Sequence, residues 1–405
     1  KNDKWVEPEH GLYFLPNNPK EFLWLSEKNG FMNIYHYNTN GKLLSQITNV
    51  NWVIDNILGF DVKGENVIFE GTGEDPRELH AFKVNLESKK ILKLTIGGGV
   101  HRVQYNKETN SIIDSYSNLS TPKKINIISA DEKHKSTELL LAENPLKDYK
   151  YGTTEFLTLK SKSGEDLYGR MIKPHDFDED KEYPVLVYVY GGPHAQLVNN
   201  NWLGGASLWM HWMAEQGYVV FTLDGRGSKH RGFNFESGIH RQLGTLEIED
   251  QLTGVEYLKG LPYINAKRMA VHGWSFGGFM TTSLMLRTPG TFTTGVAGGP
   301  VIDWKWYEIM YGERYMDQPE QNKEGYEKAS LLNYVKNLEG DLLMIHGTVD
   351  DVVVMQHNLA FVQECVKEGV QLDFFPYPMH PHNVRGKDRV HLMTKVLSYI
   401  LEKNK

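Results

Sequence analysis

From residue 151 onward, nearly continuous apolar runs alternate with segments that have helical character. The apolar runs cover residues 183–190, 218–223, 268–272 and 341–346. Runs of this kind are typical of strands that are buried on both faces, as in a parallel sheet. The helix-like segments between and after them cover residues 208–216, 246–259, 279–287 and 356–368. This alternation predicts a doubly wound α/β domain over residues 151–405.

Residues 1–150 have another pattern, in which short apolar runs are separated by polar turns. Comparable runs begin at residues 22, 67 and 112, a spacing of 45 residues. Repeats of this length with four strands each are typical of β-propeller blades, so about three blades are predicted. Closed propellers have roughly four to eight blades, and an open arc exposes strand edges. We therefore expect further blades before this segment in the full-length protein. The sequence begins with Lys1 rather than with a methionine, which agrees with this expectation.

Composition narrows the class of protein. Hydrophobic residues make up 40% of the chain and charged residues 23%, which is typical of a globular protein. The formal net charge of −7 gives no reason to expect nucleic acid or an anionic membrane as a partner. No apolar run of about 18 residues is present, so no membrane span is expected. We expect no cofactor, since the sequence has no cofactor motif.

The segment Gly273-Trp274-Ser275-Phe276-Gly277 matches the pattern G-x-S-x-G. It stands between a predicted strand and a predicted helix, which is the context that a nucleophile elbow requires. The flanking glycines permit a sharp turn that exposes the Ser275 hydroxyl, and the following helix offers backbone N–H groups to negative charge. Ser275 is therefore the predicted nucleophile of a serine hydrolase.

A serine nucleophile needs a base and an acid, which follow it in this fold in the order serine, acid, histidine. Asp350 and Asp351 follow one predicted strand, and His380 and His382 follow the next. The residues alone leave both choices open, although Asp351 also suits the N-cap of the following helix. The two histidines lack further ligands at zinc spacing, so no metal site is predicted.

Longer motifs resemble the prolyl oligopeptidase clan, and within it dipeptidyl peptidase IV and bacterial prolyl tripeptidyl peptidases. The similar segments are 190–193 (YGGP), 224–228 (DGRGS), 273–278 (GWSFGG), 311–315 (YGERY) and 346–351 (HGTVDD). The resemblance implies an α/β-hydrolase domain preceded by a propeller. It favours Asp350 as acid and His382 as base, and it implies an oxyanion hole made by the Phe276 N–H and the Tyr190 hydroxyl.

The resemblance also implies a pocket for a proline side chain. Its residues would be Phe276, Val301, Trp304, Tyr307, Tyr311 and Val353. The spacing of Trp304, Tyr307 and Tyr311 predicts one face of a helix, and an aromatic face suits the flat apolar proline ring. Glu308 would lie on the same face, where its carboxylate could bind the α-ammonium group of a peptide.

These residues predict a serine exopeptidase that releases X-Pro dipeptides from peptides with a free N-terminus. Release of X-X-Pro tripeptides is the alternative, because Val352 replaces an asparagine of dipeptidyl peptidase IV and the acidic residues of an early propeller segment are missing. A broad esterase fits the propeller and the aromatic residues less well, and a non-catalytic protein would not need Ser275, Asp350 and His382. By the same resemblance we expect a periplasmic, cell-surface or secreted protein that could form a homodimer.

Overall fold

The structure, a computed structural model, describes residues 3–6 and 11–405. In these ranges three four-stranded antiparallel sheets precede one eight-stranded sheet. The three small sheets are consecutive blades. Their strands are β1 (Tyr13–Leu15), β2 (Asn18–Ser26), β3 (Asn33–Asn38), β4 (Leu43–Gln46), β5 (Ile54–Phe60), β6 (Asn66–Gly71), β7 (His80–Asn85), β8 (Ile91–Lys93), β9 (Val100–Asn106), β10 (Ser111–Asn118), β11 (Thr121–Ser129) and β12 (Ser136–Leu141).

Each blade packs face to face on the next through alternating side chains. In β6, Val67 and Phe69 belong to the apolar core shared with the first blade, whereas Ile68 belongs to the core shared with the third. Successive side chains of a strand point to opposite faces, so the middle blade is apolar on both. The predicted 45-residue repeat corresponds to these consecutive four-stranded sheets.

The eight-stranded sheet has the order β13-β14-β16-β15-β17-β18-β19-β20, in which β14 alone is antiparallel to its neighbours. The strands are β13 (Thr154–Lys160), β14 (Asp166–Ile172), β15 (Tyr183–Tyr188), β16 (Val219–Asp224), β17 (Ile264–Trp274), β18 (Thr294–Gly298), β19 (Asp341–Gly347) and β20 (Asp373–Tyr377). The helices are α1 (Leu208–Glu215), α2 (Phe233–Glu236), α3 (Leu246–Lys259), α4 (Phe276–Arg287), α5 (Ile309–Met316), α6 (Lys323–Ala329), α7 (Gln356–Glu368) and α8 (Lys387–Lys403). This mostly parallel, helix-flanked sheet confirms the predicted α/β-hydrolase fold.

Both faces of this sheet are buried. In β16, Val219 and Phe221 enter a core shared with α3, α4 and α7, while Val220 enters a second core shared with α1 and α8. This explains the continuous apolar runs of the sequence. The predicted change of pattern at residues 150 and 151 falls in the connection between β12 and β13.

Polar contacts join the blades to the hydrolase domain. Asp55 accepts hydrogen bonds from Lys229 at 2.6 Å and from His230 at 3.2 Å, and these partners hold the pKa of Asp55 below its ordinary value. Asn200 donates to Glu78 at 2.7 Å, and Gln196 donates to the Pro76 carbonyl at 2.7 Å. The loop that follows β15 is therefore fixed by the second blade.

Across residues 3–6 and 11–405, no helix combines the length and the apolar character needed to cross a membrane.

Candidate active site

Ser275 occupies a sharp turn between β17 and α4. Its backbone has φ 62° and ψ −119°, a left-handed conformation that is strained for a residue with a side chain. The Ser275 N–H donates to the Gly298 carbonyl at 2.8 Å, which ties the turn to the end of β18. The predicted helix from residue 279 in fact begins at Phe276, so the nucleophile immediately precedes its first turn.

Two glycines make this turn possible. A Cβ added at Gly273 would lie 2.3 Å from the Val189 carbonyl oxygen, and one added at Gly277 would lie 2.4 Å from the same atom. Such distances are too short for any side chain. The close approach of β15 to the elbow therefore requires glycine at both positions, which explains the G-x-S-x-G pattern.

Asp350 and His382 meet at the carboxyl edge of the sheet. Asp350 follows β19, His382 follows β20, and Asp350 Oδ2 lies 2.7 Å from His382 Nδ1. Both residues are buried, with exposed fractions of 6% and 8%. Burial favours a raised pKa for Asp350, but hydrogen bonds from His346 and His382 outweigh this effect and hold its pKa below the ordinary value. The carboxylate therefore stays charged and can orient the imidazole.

The structure distinguishes the two pairs of alternatives that the sequence left open. Asp351 is exposed, and His380 contacts Asp388 at 3.0 Å on the protein surface. The prediction of Asp351 as a helix N-cap is wrong, because α7 begins at Gln356 with Met355 in the N-cap position. Asp350 Oδ1 accepts hydrogen bonds from the N–H groups of Val352 and Val353, at 2.9 and 2.8 Å. These bonds form a turn, and α7 begins only after it.

His382 lies beside the Ser275 turn. A Cβ added at Gly299 would lie 3.2 Å from His382 Cε1, and Trp274 Nε1 donates to the His382 carbonyl at 3.0 Å. Of the predicted hydrogen-bonded chain Ser275–His382–Asp350, the hydrogen bond between His382 and Asp350 is present. Within the described ranges no hydrogen bond joins Ser275 to His382. Catalytic hydrogen bonds are often long in sites without substrate and tighten when it binds.

Tyr190 faces the nucleophile from the end of β15. Its ring centroid lies 6.1 Å from that of Phe276, and its hydroxyl interacts with the Ser275 side chain. Burial raises the pKa of Tyr190 above its ordinary value, against the weaker effect of the Ser275 hydrogen bond. The phenol is therefore protonated at neutral pH and able to donate a hydrogen bond.

An aromatic cluster lies next to these groups, and we call it the aromatic slot after the proline pocket that the sequence predicts. Its walls are Phe276, Trp304, Tyr307 and Tyr311, and the buried Val301 and Val353 belong to the same apolar cluster. Trp304 is 5.3 Å from Phe276, 5.5 Å from Tyr307 and 5.7 Å from Tyr311 between ring centroids, the last pair being stacked. All six residues predicted for the proline pocket thus lie in one cluster.

The prediction that one helix carries the aromatic residues is wrong. Trp304 belongs to a short 3-10 helix (Trp304–Trp306), Tyr307 is extended with φ −86° and ψ 166°, and Tyr311 lies in α5. Asp303 caps the short helix by accepting the Lys305 N–H at 2.9 Å, and Ser330 donates to its other oxygen at 2.8 Å. These bonds hold the 3-10 turn apart from α5, and the rings meet across the break.

Glu308 stands at the N-cap position of α5 and is exposed. Burial raises the pKa of the neighbouring Tyr307 to about 12, and the Glu308 charge adds to this rise. The carboxylate therefore lies at the rim of the slot, exposed to solvent, rather than on a helical face shared with the aromatic residues.

Comparison with known proteins agrees with this architecture. Residues 206–405 match the model of the prolyl oligopeptidase family, and residues 1–123 match the N-terminal region of dipeptidyl peptidase IV. The chain belongs to the prolyl oligopeptidase family. It is 33% identical to dipeptidyl peptidase 8 of Mus musculus over 83% of its own length and 39% of that protein.

Two crystal structures are similar to it over nearly its whole length. One is a candidate dipeptidyl aminopeptidase IV of Bacteroides ovatus, with TM-score 0.95, 43% identity, and coverage of 99% of this chain and 60% of that chain. The other is dipeptidyl peptidase 4 of Porphyromonas gingivalis, with TM-score 0.89, 32% identity and coverage of 97% and 55%. The chain spans 39% to 49% of the length of curated relatives that it matches.

His346 is a further buried residue at this family site. Its Nε2 lies 2.6 Å from the Val353 carbonyl oxygen and 3.4 Å from Asp350 Oδ2, and its side chain is fully buried. It therefore supports both the acid and a wall of the slot. Its position four residues before Asp350, at the end of a buried strand, was the available signal.

In the part of the chain that the structure describes, no group of three or more His, Cys, Asp or Glu side chains is placed to hold a metal ion.

Proposed function

We propose that this chain is the catalytic part of a serine exopeptidase that releases N-terminal X-Pro dipeptides through an acyl-enzyme. The observation that carries the proposal is the buried Asp350–His382 pair, at 2.7 Å, beside a strained Ser275 and an aromatic slot. Curated relatives are named dipeptidyl peptidases, which favours dipeptide release over the tripeptide alternative.

The proposed acylation uses each group in one role. Nε2 of His382 takes the proton of the Ser275 hydroxyl while the oxygen attacks the carbonyl carbon of the proline residue. Asp350 holds the imidazole through Nδ1 and stabilises its charged form. The Phe276 N–H has no partner within its own helix, and it donates with the Tyr190 hydroxyl to the developing oxyanion.

Breakdown of the tetrahedral intermediate follows the same geometry. The imidazolium gives its proton to the leaving amine, the C–N bond breaks, and the dipeptide remains as an ester on Ser275. Water, deprotonated by His382, then attacks this ester, and the proton returns to Ser275 as the dipeptide leaves. Both half-reactions use one base and one oxyanion hole.

Substrate selection depends on the slot. A proline ring is apolar and has no side-chain donor, so it can be buried against Trp304, Tyr307 and Tyr311 without leaving a polar group unsatisfied. We assign Glu308 at the rim to the α-ammonium group, which would limit cleavage to peptides with a free N-terminus.

Chromogenic substrates test the proposal in the full-length protein. We expect Gly-Pro p-nitroanilide to be cleaved faster than Ala-Ala-Pro p-nitroanilide, and Ser275→Ala to abolish both activities. Faster release from the longer substrate would favour a tripeptidyl peptidase. Turnover of p-nitrophenyl esters without anilide cleavage would support an esterase instead.

A homodimer and a periplasmic, cell-surface or secreted location stay predictions from the family resemblance. Sedimentation velocity of the full-length protein tests the first, and cell fractionation tests the second.

A further inference from the structure

A tryptophan ahead of the first blade is packed into the hydrolase domain. Trp5 is 6% exposed and belongs to the apolar core that contains the aromatic slot, although it precedes β1 in the chain. The preceding Lys4 donates to Ser237 Oγ at 3.1 Å, which fixes the segment to the same domain. The indole is therefore an insertion into the catalytic domain and not part of a blade.

Aromatic contacts connect Trp5 to the slot in three steps. Its ring centroid lies 4.9 Å from that of Tyr315, with the rings nearly perpendicular at 85°. Tyr315 lies 4.7 Å from Tyr311, which in turn stacks on Trp304 at an interplanar angle of 11°. Tyr315 is 4% exposed and Tyr311 is half-buried, so the central ring of this chain is enclosed in the core.

Trp5 also contacts the loop that follows Tyr190. The indole lies 6.0 Å from the His194 ring, edge on, and 5.7 Å from the His240 ring. His194 comes four residues after Tyr190, and its backbone N–H donates to the Gly227 carbonyl at 2.9 Å. One side chain thus lies against both α5, which carries Tyr311, and the loop next to the oxyanion tyrosine.

We infer that Trp5, from a segment that precedes the first blade in sequence, is a positioning residue that keeps the aromatic side chains of the proline slot in place. The inference rests on the proposed function. Interiors are close-packed, so removal of the indole lets Tyr315 and then Tyr311 relax away from Trp304. The consequence is a slot that no longer fits proline better than smaller residues, while Ser275, His382 and Asp350 keep their positions.

Steady-state kinetics of the full-length protein test this inference with Gly-Pro and Gly-Ala anilides. For Trp5→Ala we expect KM for Gly-Pro to rise about two- to tenfold, the range for loss of an aromatic pair, with kcat little changed. The preference for Gly-Pro over Gly-Ala should fall by the same factor. Trp5→Phe should keep most of the preference for Gly-Pro, and Trp5→Leu should not. This comparison tests the inference even when the alanine variant fails to fold.

Trp52→Ala is the matched control, because Trp52 stacks on Phe69 and Phe82 inside the second blade. It should lower stability without changing the substrate preference. An unchanged preference in Trp5→Leu, or an equal change in Trp52→Ala, would overturn the inference.

Calorimetry separates this result from the proposed function. Glycyl-pyrrolidine fills a proline slot without being cleaved, so its affinity for Ser275→Ala should fall when Trp5→Leu is added. Wild-type protein that cleaves no Gly-Pro anilide would contradict the proposed function, whereas unchanged glycyl-pyrrolidine affinity would contradict the role of Trp5.

Discussion

Asp350 Oδ2 lies 2.7 Å from His382 Nδ1, and the two residues come from loops after neighbouring parallel strands. His346 contacts the same carboxylate oxygen at 3.4 Å, so one acid serves two imidazoles. The arrangement fixes which nitrogen of His382 carries the proton, and leaves Nε2 free to accept the one on Ser275.

Replacement of the acid should affect catalysis rather than binding. We expect Asp350→Asn to lower kcat by about 10⁴-fold with a small change in KM, since the amide favours the wrong tautomer of His382. Asp351→Asn is the control, because that side chain is exposed, and its kinetics should match those of wild type. Equal losses in both variants would contradict the assignment of Asp350.

The two loop histidines should differ sharply. His382→Gln removes the base and should leave almost no hydrolysis of Gly-Pro anilide. His380→Gln breaks only a partly exposed contact with Asp388, so we expect kcat/KM within about twofold of wild type, as is usual for surface ion pairs. Active-site titration with a serine-reactive phosphonate checks the result, because His380→Gln should be labelled and His382→Gln should not.

Loss of the Tyr190 hydroxyl should weaken the oxyanion hole. Tyr190→Phe keeps the ring beside Phe276 and removes one donor, for which a loss of about 10²- to 10³-fold in kcat is expected. An unchanged KM for Gly-Pro anilide would show that the slot is intact. A kcat equal to that of wild type would rule Tyr190 out as a donor.

Glu308 should distinguish free from blocked peptides. Because its carboxylate is exposed at the slot rim, its ion pair with an amine is expected to change KM by at most about fivefold. Glu308→Gln should raise KM for Gly-Pro anilide and leave that for N-acetyl-Gly-Pro anilide unchanged. Equal effects on the two substrates would exclude a role in amine binding.

Glu247 predicts a pH effect on stability. It is 1% exposed, and burial raises its pKa from 4.5 to about 8. Between pH 4.5 and about 8, Glu247 therefore keeps its proton in the folded state and has lost it in the unfolded state. Its stabilising contribution is complete below about pH 4.5 and is lost as pH rises toward about 8.

Urea unfolding of Glu247→Gln measures this contribution. The glutamine stays neutral, so the fall in unfolding free energy with rising pH should become shallower by up to about 1.4 kcal/mol per pH unit. Glu256→Gln, an exposed change on the same helix, should keep the wild-type slope. An identical slope in Glu247→Gln would mean that Glu247 is charged in the folded protein.

Local pattern was sufficient for many elements. The helix predicted over residues 246–259 matches α3, and that over residues 356–368 matches α7, and each ends at a glycine in the C-cap position. The prediction of one helix through the aromatic residues failed, because Trp304, Tyr307 and Tyr311 have helical spacing but meet across a break between a 3-10 helix and α5. Spacing cannot reveal such a break, which depends on hydrogen bonds between Asp303, Lys305 and Ser330.

The sequence by itself determined the sheet type, the blade repeat and the position of Ser275, because periodicity and glycine spacing are local properties of the chain. It left Asp350 against Asp351 and His380 against His382 undecided, and it gave no sign that Trp5 lies near the slot. Only the tertiary structure decided these points. Adjacent residues share nearly the same local sequence, and which of them faces inward depends on distant strands and loops that the fold brings together.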